Sequence, residues 1–184
     1  MKNSIIVENL SKNYSENKAV KNISFKIGEN EIVGLLGPNG CGKTTTMAML
    51  LGLLKPTSGQ ILIDGISIEN NRIELLHKMN FISPYIELPK KLTVKENLVV
   101  YSKLYSVKNF KDRINYLSET LRLNDFMNKK TGELSSGQKN RVNFAKSLIN
   151  NPSILLLDEP TASLDPETAD FVRTFLENYK QEKK

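Results

Sequence analysis

The chain has 184 residues, 39% of them hydrophobic, which is enough for one domain with a core of its own. A formal net charge of +6 would fit a nucleic-acid or acidic-membrane partner, but Lys and Arg are interleaved with Asp and Glu, which favours an ordinary solvated surface. The single cysteine, Cys41, excludes an internal disulfide framework, and the sequence contains no run of about 20 apolar residues that could cross a bilayer.

The first quarter of the chain predicts strands that lead into a glycine-rich loop. Apolar and polar residues alternate in residues 5–10 and 20–27, which predicts two strands of an antiparallel edge with one solvent-facing side. Residues 31–36 are a short apolar run that predicts a third strand, and residues 43–54 predict a buried helix. Strand, glycine loop and helix thus follow one another as a phosphate-binding loop requires.

The middle of the chain predicts further strands and then a long helical segment. Residues 60–64 and 80–83 predict strands. Residues 92–150 have a helical pattern, which opens at Thr93 with Glu96 three residues later. This spacing is a capping box, in which each side chain binds a free amide at the helix start.

The last part of the chain predicts one strand and one helix. Residues 153–157 are a continuous apolar run, typical of a parallel strand buried on both faces. A final helix is predicted to start at Pro166, with Asp165 as its N-cap. We therefore predict a single α/β domain, in which residues 1–84 and 151–184 form the catalytic core and residues 85–150 form an inserted helical lobe.

A nucleotide-binding motif lies in residues 37–44. GPNGCGKT matches the pattern G-x-x-x-x-G-K-[ST] at every fixed position, although a glycine turn that happens to precede a helix is the alternative. Glycines let backbone amides surround a phosphate, and the following helix N-terminus favours an anion. Lys43 would reach the β- and γ-phosphates of ATP, and the Thr44 hydroxyl would bind Mg²⁺. The predicted contacts are Gly37, Pro38, Asn39, Gly40, Cys41, Gly42, Lys43, Thr44 and Thr45.

A phosphate-binding loop of this type needs a carboxylate to hold the metal. In ILLLDEP, at residues 154–160, an apolar strand delivers Asp158 to the magnesium ion, and Glu159 could polarise the attacking water. An acidic pair after an apolar run can also be a simple strand end. Together with the glycine loop, the catalytic interpretation is favoured.

A second phosphate-binding helix start is predicted at LSSGQ, residues 134–138. Ser135 and Gln138 have the spacing of another capping box, and a helix N-terminus with serine and glycine is itself an anion site. It cannot serve the phosphate that the first loop already surrounds. Two such helix ends in one small chain make sense if two chains face each other head to tail.

These motifs resemble those of the ATP-binding cassette (ABC) ATPases. GPNGCGKTT, LSSGQ, ILLLDEP and the SLD of residues 163–165 occur in the family's order and spacing, and the resemblance extends from Ile5 to the end of the chain. It implies a P-loop NTPase core with a mixed sheet, an antiparallel edge subdomain and the helical lobe. It also implies two cassettes that sandwich two ATP molecules, each bound by one chain's phosphate loop and the other's signature helix.

The resemblance assigns roles to individual residues. It implies that Lys43 and Glu159 are catalytic and that Thr44 and Asp158 bind Mg²⁺. Tyr14 matches the family's aromatic that stacks on adenine, although an aromatic capping the first hairpin is the alternative. The signature residues that would complete the other chain's site are Leu134, Ser135, Ser136, Gly137 and Gln138.

The implied function is that of an ATP-hydrolysing transporter subunit. Such a subunit works as a homodimer or paired cassette with a transmembrane permease, peripherally on the cytoplasmic face of the cell membrane, with no nucleic-acid partner. The wording around the motifs is most similar to the export-type, ABC-2-like branch. Two alternatives remain: a soluble cassette ATPase acting on nucleic acid or ribosomes, and an ATP-binding module without turnover. The first usually carries two cassettes or a long coiled coil, and neither occurs here.

Three departures from the family pattern stand out. Ser136 replaces a glycine of the signature, which is tolerable if it keeps helical angles. No glutamine stands at the lobe junction, where Pro84 lies, so Ser83 or Tyr85 would act instead. The only histidine, His77, is predicted to be a surface residue, and the family's γ-phosphate-sensing histidine and its strand are absent. The resemblance therefore implies that the C-terminal part of the core is missing; a complete but degenerate protein is the alternative.

Overall fold

A computed structural model describes residues 3–83, 87–160 and 166–182 of the chain. The chain divides into two compact units. The first comprises Met1–Leu76 and Glu177–Lys184, and the second comprises His77–Leu176. No helix within the described ranges is long and apolar enough to cross a membrane.

The first unit contains a four-stranded antiparallel sheet. Its strands are β1 (Asn3–Tyr14), β2 (Asn17–Gly28), β3 (Ser58–Ile63) and β4 (Ile66–Ser67), in the order β2-β1-β3-β4. The predicted antiparallel edge is thus confirmed; the short β4 was not predicted. Alternate apolar side chains of these strands are buried and form the core of this unit. They are Ile5, Val7, Leu10, Val20, Ile61 and Ile63.

The helix after the glycine loop, α1 (Lys43–Leu50), is shorter than the sequence predicts. It ends because Leu51 is its C-cap and Gly52 takes a left-handed φ of 62°. Met49 and Leu50 are buried, whereas Leu53, predicted to continue the buried helix, is 64% exposed. An apolar run therefore indicated the helix correctly but not its end.

The prediction of a strand at residues 31–36 is wrong for this structure. The segment has no regular secondary structure, and Ile32, Val33 and Leu36 are 59%, 55% and 92% exposed. A strand requires a neighbour that accepts and donates its backbone hydrogen bonds. Among the described residues this segment has no such neighbour.

The second unit contains a parallel strand pair. The first unit ends within α2 (Arg72–His77), and β5 (Met79–Ile82) then pairs with β6 (Ile154–Leu157) in register from Met79↔Ile154 to Ile82↔Leu157. The predicted parallel strand is confirmed, but the prediction that it is buried on both faces is wrong. Only Ile154 of β6 is buried and the other residues are half-buried, because within the described chain β6 has a strand neighbour on one side only.

Among the described residues, four α-helices and two short 3₁₀ helices accompany this pair. The α-helices are α3 (Val94–Leu104), α4 (Phe110–Thr120), α5 (Ser136–Leu148) and α6 (Pro166–Glu182), and the 3₁₀ helices are Asn124–Phe126 and Thr131–Glu133. Both predicted capping boxes are present, at Thr93 with Glu96 and at Ser135 with Gln138. The start of α6 at Pro166 is confirmed, whereas its predicted cap Asp165 lies outside the described residues.

Candidate nucleotide-binding site

The glycine loop brings the Lys43 ammonium back onto its own backbone. Lys43 Nζ donates hydrogen bonds to the carbonyl oxygens of Gly37 at 2.7 Å and Pro38 at 2.9 Å. Gly42, the N-cap of α1, has a φ of 95°, and a Cβ there would lie 2.3 Å from the carbonyl oxygen of Ala19 in β2. The loop backbone therefore lies directly against β2, at a position that only glycine can occupy without strain.

The N-terminus of α1 has no side-chain cap. The first helical amide that finds an acceptor is that of Thr46, which donates to the Gly42 carbonyl at 2.8 Å. The amides of Lys43, Thr44 and Thr45 donate to no acceptor among the described residues. Free amides, the positive end of the helix dipole and an ammonium group thus point to an anionic ligand.

Tyr14, the predicted adenine contact, ends β1 in the same unit as this loop. Its side chain is 49% exposed, and the Lys12 ammonium lies 5.4 Å from the ring centre. Lys12 Nζ also donates to the carbonyl oxygen of Lys55 at 2.8 Å. The ring is therefore held from one side and remains accessible for stacking.

The predicted acidic pair follows β6. The Asp158 amide donates to the carbonyl oxygen of Ile82 at 2.9 Å, which continues the parallel pairing by one residue and holds Asp158 at the strand end. Glu159 is exposed and has a left-handed φ of 46°, an uncommon conformation that turns the chain sharply after the strand. The following Pro160 accepts a hydrogen bond from Asn140 Nδ2 of α5 at 3.4 Å.

The signature segment is anchored at one end and capped at the other. Leu134 is buried, Ser135 is the N-cap of α5, and Ser136 is the first helical residue, as its substitution for glycine requires. The Gln138 amide donates to Ser135 Oγ at 3.2 Å, and the Ser135 amide donates to Gln138 Oε1 at 3.1 Å. This reciprocal pair fixes the loop without a ligand.

A pocket of about 500 Å³ opens at this helix start. Two of its lining residues, Arg122 and Arg141, were not predicted. Their guanidinium carbons lie 5.7 Å and 5.0 Å from the ring centre of Phe171 in α6. No local sequence pattern could find this arrangement, because its members come from three separate elements. The full lining comprises Arg122, Asp125, Phe126, Ser135, Ser136, Gly137, Gln138 and Arg141.

The structure distributes the predicted site residues over the two units. Tyr14 and residues 37–45 belong to the first unit, and residues 134–138, Asp158 and Glu159 belong to the second. Within the described residues, no group of three or more His, Cys, Asp or Glu side chains could by itself hold a metal ion.

The residues at which the sequence departs from the family pattern are only partly described. His77 is exposed at the end of α2, and Ser83, one of the two substitutes considered for the junction glutamine, is buried. Pro84, Tyr85 and residues 163–165 lie outside the described residues. The role predicted for the lobe junction therefore remains a prediction.

Comparison with known proteins gives many matches. The sequence model of the ABC transporter family matches residues 20–162. The ABC transporter ATP-binding protein NatA of Bacillus subtilis is 36% identical over 91% of this chain and 69% of its own length. The bacitracin transport ATP-binding protein BcrA of Bacillus licheniformis is 40% identical over 85% of this chain. The Nod factor export ATP-binding protein I of Burkholderia orbicola is 38% identical over 86%. The chain spans only about half the length of the last two, 51% and 53%.

Solved structures are similar over nearly the whole chain. One is cbiO1 of Clostridium perfringens, part of the ABC transporter complex cbiONQ, at a TM-score of 0.85 and 30% identity over 99% of this chain and 75% of that one. Another is an ATP-binding cassette in a dimeric, post-hydrolysis state bound to ADP and phosphate, at a TM-score of 0.85 and 30% identity. That match covers 97% of this chain and 83% of the other.

Proposed function

We infer that this chain, which belongs to the ABC transporter family and to its export-type branch, is a subunit that binds and hydrolyses ATP to drive a separate membrane subunit. The family is shown by the match over residues 20–162 and by the relatives named above. The observation that carries the proposal is the uncapped start of α1, where free amides and the Lys43 ammonium converge. This chemistry suits a polyphosphate.

ATP would be held chiefly by the first unit. The phosphates would lie on the amides of residues 40–45, and Lys43 would exchange its two loop carbonyls for phosphate oxygens. The half-exposed Tyr14 ring would stack on the adenine. The loop fits this group because the free amides of Lys43, Thr44 and Thr45 match the acceptors of a polyphosphate.

Three oxygen-bearing side chains would bind Mg²⁺ and orient the attacking water. The Thr44 hydroxyl and the Asp158 carboxylate are hard ligands of the kind that Mg²⁺ takes alongside phosphate oxygens and water, so two protein ligands suffice. The ion would supply charge neutralisation at the phosphates. Glu159, exposed directly after Asp158, would orient the attacking water and accept its proton.

A second copy or a related cassette would complete each site. Residues 134–138 form a preformed loop at a helix N-terminus, whose dipole attracts the terminal phosphate of a nucleotide bound to another chain. The dimeric cassette among the structural relatives supports a pair of chains, for which we propose a head-to-tail arrangement. Membrane attachment would then come from a transmembrane permease contacted on the cytoplasmic side. In such a pair residues 85–150 would form the lobe, and residues 1–84 and 151–184 would form the core.

The test is ATP turnover measured against protein concentration. If two chains form each site, the rate should rise more than linearly with concentration at low concentrations. Glu159→Gln should abolish turnover while leaving nucleotide binding intact, and Glu177→Gln, an exposed acid on α6, should leave both unchanged. Binding without turnover in the unmodified chain would reject hydrolysis and indicate a nucleotide-binding module instead.

A further inference from the structure

Arg122 occupies a backbone position that ordinarily belongs to glycine. Helix α4 ends at its C-cap Leu121, after which the Arg122 amide donates to the Glu119 carbonyl at 3.2 Å and the Leu123 amide donates to the Ser118 carbonyl at 2.8 Å. These two bonds define a Schellman motif, whose left-handed residue is most often glycine. Arg122 adopts that conformation with a φ of 53°. A long side chain is unfavourable in this conformation, so the surrounding structure must hold Arg122 there.

The side chain of Arg122 is held at an aromatic ring rather than at a carboxylate. Its guanidinium lies 5.7 Å from the Phe171 ring centre, and that of Arg141 lies 5.0 Å from the same ring. Among the described residues neither guanidinium has an ion-pair or hydrogen-bond partner. One ring therefore keeps two like charges near each other with their donors available.

Both guanidinium groups line the pocket at the start of α5. The capping box uses the amides of Ser135 and Gln138, but the amides of Ser136 and Gly137 donate to no acceptor among the described residues. The pocket thus combines two free amides, a helix N-terminus and two cations, against a single lining carboxylate, that of Asp125. Its charge favours an anionic group.

We propose that Arg122 is a phosphate-binding residue of this pocket. Phe171 positions the Arg122 side chain, and Arg122 contacts the nucleotide that a second copy of the chain presents to residues 135–138. The inference rests on the proposed function, since that function supplies the second copy. To the proposed function it adds one cation, the Arg122 guanidinium, which lies outside the signature segment at the end of α4. Arg122 would contribute to assembly of the ATP-bound pair and not to the first binding of ATP by residues 37–45.

The experiment measures dimer formation in a Glu159→Gln background, which separates assembly from turnover. Sedimentation velocity with Mg-ATP gives the dimer Kd at low and moderate salt. Arg122→Gln leaves a polar side chain at the left-handed position and removes the guanidinium charge, so we expect Kd to rise about tenfold at low salt, with a smaller difference at moderate salt. Arg122→Lys should retain much of the affinity.

Two further variants separate charge from structure. Arg122→Gly relieves the left-handed backbone and should leave Tm unchanged or raise it, yet weaken the dimer as Arg122→Gln does. Phe171→Leu removes the aromatic ring and should weaken the dimer, whereas Phe171→Tyr keeps the ring and should leave the dimer Kd near that of the parent. The control Lys111→Gln removes an exposed cation from the other end of α4 and should not change Kd. Affinity of the isolated chain for a fluorescent ATP analogue should be the same in all of them.

The outcomes distinguish the role of Arg122 from the existence of the head-to-tail pair. A parent that dimerises with Mg-ATP while Arg122→Gln matches it at both salt concentrations would overturn the assignment of Arg122 alone. A parent that stays monomeric with Mg-ATP would reject the head-to-tail pair itself, and the role of Arg122 with it.

Discussion

The N-termini of α1 and α5 differ in how their free amide groups are satisfied. At α1 the N-cap is Gly42, no side chain caps the helix, and the amides of Lys43, Thr44 and Thr45 have no acceptor among the described residues. At α5 a reciprocal pair, Ser135 and Gln138, caps the helix from within. Both helix starts are predicted to bind phosphate, yet only the start of α5 is capped in the absence of a ligand.

The difference indicates two kinds of phosphate contact. An uncapped start gains most from a ligand, because the ligand supplies the missing acceptors. A capped start is stable without a ligand, so its conformation is already formed before it binds a nucleotide that another chain holds. Substitutions at and near the two helix starts, and in the matching capping box at α3, test this division.

Removing the ammonium at the uncapped start should abolish function. Lys43→Ala should lower ATP turnover by about a hundredfold or more, because one preorganised charged donor to the phosphates is lost. Steady-state turnover and binding of a fluorescent ATP analogue would show it. Lys26→Ala, at an exposed residue of β2, is the matched control. Equal turnover in the two variants would show that Lys43 is not part of the nucleotide-binding site.

Adding a methyl group at the same helix start should distort the loop. In Gly42→Ala the Cβ would meet the Ala19 carbonyl oxygen at 2.3 Å, whereas Gly40→Ala opens into free space, although both glycines have left-handed φ values, 95° and 81°. We expect Gly42→Ala to destabilise the fold by about 1–3 kcal/mol more than Gly40→Ala. Urea unfolding measures the difference, and equal stabilities would show that the loop does not pack on β2.

Removing the cap at α5 should cost a modest amount of stability. Ser135→Ala and Thr93→Ala each delete the side-chain acceptor of a capping box and should each lower the free energy of unfolding by about 1 kcal/mol. Only Ser135→Ala should also reduce concentration-dependent turnover, because α3 carries no predicted site residue. If both variants lose turnover equally, the effect is one of stability.

The smallest effect concerns the acidic partner in the box at α3. Hydrogen bonds from the Thr93 amide and then from its side chain lower the pKa of Glu96 below the ordinary value of 4.5. A lowered folded-state pKa means stability that is present above pH 4.5 and is lost as the pH falls through the folded value. Glu96→Gln should therefore flatten this part of the acid unfolding curve. The capping box at α5 should make no such contribution to the pH dependence of stability, because its Gln138 side chain does not titrate.

Much of the local structure could be predicted because it is encoded within a few residues. Both capping boxes follow from a spacing of three residues, and the antiparallel edge follows from alternation along residues 5–10 and 20–27. The glycine loop could be placed before a helix from its motif alone. These features depend on residues that lie close together in the sequence.

The errors come from interactions that sequence neighbours do not determine. An apolar run predicts burial, but residues 31–36 are exposed and have no pairing strand within the described part of the chain, and α1 stops where Gly52 takes a left-handed conformation. The cluster of Arg122 and Arg141 at Phe171 joins three elements far apart in the chain. Its electrostatic character appears only when the chain is folded.

The pairing of β5 with β6 also sets a timetable for the newly made chain. Met79 pairs with Ile154, so at a translation speed of about 5–20 residues per second β5 leaves the ribosome roughly 4–15 s before its partner exists. The hairpin of β1 and β2, by contrast, is complete almost as soon as it emerges. During that interval Met79–Ile82 lacks the strand with which it pairs, and its backbone groups on that side are open to chaperones and to aggregation until Ile154–Leu157 is made.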